Sequence, residues 1–166
     1  MTAHQLYSDI SKDLQSEIVA YLDKQHRQAY RMVLATLASQ RKLRPVFMER
    51  KQRPDQHRFI IEQLRVRANN GVAEQVIQIW LLKSQQGMLK TFLDTLGVEH
   101  KEGEVESLPE EITQEKAAEG IAALLAEHPA ERVALYLHMF QMQRPDGWAG
   151  LTAAIAAEPK LKLPAA

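Results

Sequence analysis

Two pairs of side chains have the types and the spacing of metal ligands on a helix. Asp23 and His26 are three residues apart, and so are His128 and Glu131. Residues three apart share a helical face, and a metal site in a helical bundle combines such pairs from facing helices. The Glu-x-x-His order of those bundles is absent from the sequence, however, and a proline follows His128. We therefore interpret both pairs as caps or surface pairs, and we expect neither a bound metal nor a cofactor.

The sequence contains no motif of nucleophilic catalysis or of nucleotide binding. It has no cysteine, and none of its six serines lies in the Gly-x-Ser-x-Gly turn that presents a hydrolase nucleophile. A glycine-rich phosphate-binding loop is also missing. We therefore predict no catalytic residue, and the sequence favours a protein that is not an enzyme.

The clearest candidate for a binding surface is the basic segment from Arg41 to Arg67. It holds nine Lys or Arg residues and three Asp or Glu residues. Arginine predominates, which suits bidentate contacts with phosphate as well as ion pairs with carboxylates on another helix. Phe47 is available to stack on a nucleobase, although a single Phe in such a segment is more typical of a core residue. The contacts that we predict are Arg41, Lys42, Arg44, Arg50, Lys51 and Arg53.

This basic segment belongs to an uneven distribution of charge along a chain whose formal net charge is zero. Residues 1–70 carry 13 basic and 7 acidic side chains, whereas residues 71–166 carry 8 basic and 14 acidic ones. Three interpretations fit the pattern. The basic segment contacts only water, or it binds the acidic half of the same protein in cis or in an oligomer, or it binds nucleic acid.

The elements that carry these residues are predicted to be helices throughout. Good helix formers predominate, with no glycine before Gly71 and no proline before Pro45. Apolar residues recur with helical spacing, so we predict an all-α fold, a compact bundle or orthogonal array of seven or eight helices. The expected organisation is a single helical domain over residues 1–166, with a basic N-terminal helical unit at 8–44, a main helical core at 54–157 and a flexible tail at 158–166.

The N-terminal stretch up to Leu43 is amphipathic and contains no helix breaker. Ser8 and Asp9 are good N-caps, and apolar residues follow from Ile10 at intervals of four. The polar residues 23–26 leave two alternatives, which are one helix of roughly 35 residues and a hairpin or kinked helix bent at that point. Long amphipathic helices are typical of coiled-coil contacts, so a homodimer through the N-terminal helices is an expected consequence.

Shorter features complete the predicted secondary structure. The apolar residues Val46–Met48 are predicted to form a connector, and the residues Asn69–Gly71 are predicted to end a helix. Gly97 is predicted to cap a helix in the left-handed conformation. Trp80 and Trp148 are expected in the core, because burial of a large aromatic side chain is strongly favourable.

The function that the sequence favours is a non-enzymatic protein-interaction or structural module, with a second copy or another protein as its partner. Nucleic-acid binding through residues 41–67 is one alternative, and small-molecule binding or catalysis in a pocket between helices is another. No apolar run approaches the length that spans a bilayer, so no membrane contact is expected. The N-terminus lacks the pattern of a secretion signal, which leads us to expect a cytoplasmic protein.

Overall fold

The computed structural model describes residues 1–164 of the chain. Over these residues it contains ten α-helices, two short 310 helices and no β-strand, so the predicted all-α fold is confirmed. The chain divides into two compact units, Met1–Trp80 (unit 1) and the part from Leu81 onward (unit 2). The single domain expected over residues 1–166 stays a prediction.

Unit 1 is built from helices that pack around a shared apolar interior. Helix α2 packs against α3 and α5, and α3 also contacts α4. The apolar residues predicted at intervals of four from Ile10, which include Leu14, Ile18 and Leu22, are almost inaccessible to solvent. The helices of this unit are α1 (Ala3–Asp9), α2 (Lys12–Gln25), α3 (Arg27–Gln40), α4 (Pro45–Glu49), α5 (Arg53–Leu64), a 310 helix (Arg67–Asn69) and the first part of α6 (Asn70–Ser84).

The N-terminal stretch forms three helices, which resolves the alternatives left by the sequence. The backbone of His26 leaves helical angles, with φ −136° and ψ 62°, so a break separates α2 from α3 and a single long helix is excluded. The prediction that Ser8 and Asp9 cap the first helix is wrong, because both belong to α1. The buried residues Ala3, Leu6 and Tyr7 give this seven-residue helix an apolar face with helical spacing, which the prediction did not use. The cap of α2 is Ser11, whose hydroxyl accepts a hydrogen bond from the Leu14 amide.

Two further boundaries in unit 1 differ from the prediction. The residues Val46–Met48 lie inside α4 rather than in a connector, because Pro45 occupies the first turn of a helix that is only five residues long. The predicted helix end at Asn69–Gly71 is also wrong, since α6 begins at Asn70. The two asparagines make tertiary contacts instead: the Asn69 amide donates to the carbonyl of Gln63 at 2.9 Å, and Asn70 accepts from the His4 amide at 3.1 Å.

Unit 2 is organised around α8, which packs against both α7 and α10. The aromatic rings of Phe92, Tyr136, Phe140 and Trp148 form one cluster, in which Phe140 and Trp148 stack with centroids 5.0 Å apart. The burial expected for Trp80 and Trp148 is therefore confirmed. The helices of this unit are α7 (Gln86–Leu96), α8 (Gln114–Glu127), α9 (Ala130–Gln141), α10 (Ala149–Ala157) and a 310 helix (Pro159–Leu161).

The end of α7 and the C-terminal tail were both predicted from the sequence, with different outcomes. Gly97 adopts the left-handed conformation, with φ 71°, and the following amide of Val98 donates to the carbonyl of Leu93 at 3.0 Å, as predicted for a helix cap. The predicted flexible tail at 158–166 differs from the structure over Pro159–Leu161, because Leu161 is buried and its 310 helix packs against α9. Residues 165–166 of that tail lie outside the described residues.

No helix in the described part of the chain has the length and apolar character needed to cross a membrane. Within residues 1–164, moreover, no three His, Asp or Glu side chains are grouped so that they could hold a metal ion.

Candidate functional site

The six predicted contact residues lie on either side of the short helix α4, and all six are exposed. Arg41 follows α3, and Lys42 adopts a positive φ of 57° in the turn after it. The remaining four flank α4, and they are Arg44, Arg50, Lys51 and Arg53. We call residues 41–53 the α4 segment. Its six cations accompany a single carboxylate, that of Glu49, so the local charge is strongly positive.

Phe47 projects from α4 into solvent, which corrects the expectation that a single Phe in this segment is a core residue. Its side chain is 52% exposed, and its neighbour Val46 is exposed as well. The buried residue of α4 is Met48, so a helix of five residues uses one apolar side chain for packing and leaves two at the surface. The ammonium nitrogen of Lys51 lies 4.7 Å from the centroid of the Phe47 ring, a cation–π distance.

The cations of the α4 segment differ in whether a carboxylate neutralises them. Among residues 1–164, no Asp or Glu forms an ion pair with Arg41, Lys42, Arg44, Arg50 or Lys51. Arg53 is the exception, because it pairs with Asp23 of α2. Five of the six predicted contacts are therefore available to an external anion, whereas Arg53 already has a structural role.

Asp23 is the centre of an ion-pair cluster that joins three helices of unit 1. Its carboxylate accepts hydrogen bonds from Arg27 at the start of α3 and from Arg53 at the start of α5. The ring nitrogen Nε2 of His57, also in α5, lies 2.7 Å from Oδ2 of Asp23. Both arginines lie against the ring of Tyr30, at 5.2 and 5.5 Å from its centroid. The cluster thus fixes where α5 begins relative to α2 and α3.

The same contacts explain the protonation of this cluster. Burial opposes ionisation of Asp23, but the hydrogen bond from His57 and the charge of Arg53 outweigh it and hold the pKa of Asp23 below its usual value. Asp23 therefore remains a carboxylate throughout the neutral range. Burial and the nearby Asp23 charge raise the pKa of Tyr30, so its hydroxyl stays protonated and can donate a hydrogen bond.

We expect Asp23→Asn to lower the free energy of unfolding by about 1–2 kcal/mol at pH 7, because charge-assisted hydrogen bonds are lost. The pKa of Asp23 is lower in the folded protein than its unfolded value of about 3.9, so the carboxylate stabilises the fold at pH values above about 3.9. This stabilisation is lost as the pH falls through the folded-state pKa. Urea unfolding should therefore show a difference between Asp23→Asn and the wild type that shrinks below pH 4. A constant difference from pH 7 to pH 3 would contradict this account.

The connection between α4 and α5 is held by one buried side chain, Gln56. Its residue is 4% exposed, and its amide nitrogen lies 3.1–3.2 Å from the carbonyl oxygens of Met48, Glu49 and Lys51. The buried hydroxyl of Tyr30 donates to the amide oxygen of Gln56 at 2.7 Å. These carbonyls end α4 and begin the turn after it, so Gln56 fixes the backbone that carries Phe47 and Lys51.

We expect Gln56→Leu to lower the free energy of unfolding by about 2 kcal/mol, because three backbone carbonyls lose one hydrogen bond each and the buried Tyr30 hydroxyl loses its acceptor. Tyr30→Phe removes a single hydrogen bond, and we expect a smaller loss of about 1 kcal/mol. Urea unfolding measures both, with Gln28→Leu on the exposed face of α3 as the matched control. Equal stability of Gln56→Leu and Gln28→Leu would contradict the role given to Gln56.

The sequence did not reveal this hydrogen-bonded support, although it singled out Asp23 and Arg53 for other roles. The spacing of Asp23 and His26 is that of a helical metal-ligand pair, but the partners of Asp23 are Arg27, Arg53 and His57. The ring of His26 instead lies 5.6 Å from that of Tyr21. The available signal was the spacing of four between Asp23 and Arg27, which is typical of a helical ion pair.

A second His–Asp pair lies in unit 2, at the end of α7 and in the loop that follows it. Nε2 of His100 lies 2.7 Å from Asp94, and the amide of Gly103 donates to Nδ1 of the same ring at 3.2 Å. Both ring nitrogens thus bond to neighbouring residues, and His100 orders the loop after α7.

Comparisons of the chain with protein-family models, with curated proteins and with solved structures give no match.

Proposed function

We propose that unit 1 binds nucleic acid through the α4 segment. The observation that carries the proposal is the group of five exposed cations without a carboxylate partner among residues 1–164, arranged around a short helix. Phosphate groups attract such a surface at long range and release counterions when they bind it. The arginines Arg41, Arg44 and Arg50 add the planar donors that fit phosphate oxygens.

An acidic protein partner would also satisfy these charges, and it is the second candidate. A specific observation favours it, namely the exposed apolar pair Val46 and Phe47 within the α4 segment. Protein interfaces commonly combine an apolar centre with a polar rim. We place nucleic acid ahead of the protein partner that the sequence favours, because cations outnumber the exposed apolar side chains and charged residues are depleted from the centres of protein interfaces.

The homodimer expected through the N-terminal helices has less support than the sequence suggested. The apolar stripe of that stretch, including Ile18, Leu22 and Leu37, is buried within the chain itself. Met32 of α3 is 62% exposed and is available to a second copy. The homodimer, a further protein partner and a cytoplasmic location accordingly stay proposals, and sedimentation at high micromolar concentration tests the first of them.

The experiment that tests nucleic-acid binding is a salt titration. A fluorescently labelled single strand of about 20 nucleotides is titrated with the protein at several salt concentrations, and anisotropy gives the affinity. We expect the logarithm of the association constant to fall linearly with the logarithm of salt, with a slope of about −3 for four to five phosphate contacts. Absence of binding at 20 mM salt, or an affinity that does not respond to salt, would overturn the proposal.

A further inference from the structure

Phe47 is an aromatic side chain that the structure presents to solvent at the centre of the cations. Folding ordinarily removes such a ring from water, yet the Phe47 side chain is 52% exposed. The backbone on its C-terminal side is nevertheless fixed, because the buried amide of Gln56 bonds to the carbonyls of Met48, Glu49 and Lys51. The Phe47 ring is therefore held in solvent by backbone that is already ordered.

From this placement we infer that Phe47 is a base-stacking residue and that the α4 segment prefers single-stranded nucleic acid to a duplex. The inference rests on the proposed nucleic-acid binding and names its substrate class. Unpaired bases stack on exposed aromatic rings irrespective of sequence, whereas the bases of a duplex already stack on one another. The ammonium group of Lys51 lies over one face of the Phe47 ring, 4.7 Å from its centroid, so a base stacks on the opposite face.

The short length of α4 also favours a single strand over a duplex. A helix that reads a duplex lies in the major groove and contacts several base pairs. Helix α4 has five residues, which corresponds to a length of about 7.5 Å. Phe47 would have to separate stacked base pairs to reach a duplex base, which costs unstacking energy that a single strand does not demand. Because Gln56 already orders the backbone around the ring, binding of a single strand carries no entropic cost for ordering α4.

The test compares three ligands of equal length: a single strand, the same strand with abasic sites at its central positions, and the corresponding duplex. Affinities are measured at one low salt concentration, so that phosphate contacts contribute equally to both single strands. We expect the wild type to bind the intact strand about tenfold more tightly than the abasic strand, in line with stacking of one base. The duplex should bind more weakly than the intact strand.

Variants of α4 show whether Phe47 causes the preference. Phe47→Ala should bind the intact and abasic strands equally while retaining the wild-type affinity for the abasic strand, and Phe47→Trp should restore the preference. Val46→Ala, at the neighbouring exposed position, is the matched control and should retain it. A wild type that binds intact and abasic strands equally, or a preference that survives in Phe47→Ala, would overturn the inference and leave the proposed function standing. Failure of the wild type to bind either strand would overturn both.

Discussion

Replacing Arg44, Arg50 and Lys51 together by alanine is expected to lower the affinity for a single strand by about 100-fold at low salt, since each lost charge-assisted contact contributes about 1 kcal/mol. The three side chains are exposed and have no carboxylate partner among residues 1–164, so their removal leaves the fold intact. The slope of log affinity against log salt should become less steep by about 2, because three phosphate contacts are lost. Anisotropy titrations measure both quantities.

The control for this variant removes cations from elsewhere in unit 1. Lys12 of α2 and Arg31 of α3 are exposed, and neither belongs to the α4 segment. Lys12→Ala combined with Arg31→Ala should change the affinity only through net charge, by a few-fold at most, and should leave the salt slope almost unchanged. Equal losses in this control and in a matched Arg44→Ala/Lys51→Ala variant would contradict a localised site.

The largest expected effect on stability comes from Gly150→Ala in α10. A methyl group at Gly150 would meet the backbone of the chain that enters α8: it would collide with the carbonyl oxygen of Ile112 and lie 2.7 Å from the amide nitrogen of Gln114. Backbone atoms cannot move aside as a flexible side chain does, so α10 has to separate from α8. We expect the free energy of unfolding to fall by about 3 kcal/mol or more, measured by urea unfolding.

Gly87 offers a matched comparison, because it also occupies the second position of a helix in unit 2. A methyl group there meets no atom within 4 Å in the described part of the chain. Gly87→Ala should therefore raise the free energy of unfolding, by about 0.5–1 kcal/mol, since alanine loses less backbone freedom on folding. Stability of Gly150→Ala equal to that of Gly87→Ala would show that α10 does not approach α8 as closely as described.

The parts of the fold that the sequence predicted well are those governed by local spacing. Apolar residues at helical intervals identified the faces of the longer helices, and the left-handed cap at Gly97 followed from the one residue type that favours that conformation. The five residues of α4 are too few to repeat an apolar pattern, so this helix escaped prediction. Helix α1 was missed although Ala3, Leu6 and Tyr7 have helical spacing. Local rules also misplaced the helix end at Asn69–Gly71, where tertiary hydrogen bonds decide the outcome.

The sequence predicted which cations form the candidate site, but not the exposure of Phe47 or the contacts that hold the segment in place. The cations around α4 stand out in the sequence, and the structure exposes all six. The burial of Phe47 depends on which face of the five-residue helix packs against α3. The sequence pattern does not define this face. The roles of Asp23 and Gln56 depend on residues from three helices, separated by up to 34 positions, so no local motif indicates them.

The claim that the α4 segment is the nucleic-acid contact is tested most directly by a titration that reports on every residue at once. Backbone amide shifts of the isotopically labelled protein are recorded by NMR while an unlabelled single strand is added at low salt. The account predicts shift changes that concentrate in residues 41–53 and are largest around Phe47 and Lys51. Unchanged spectra, or changes that concentrate in unit 2, would contradict it.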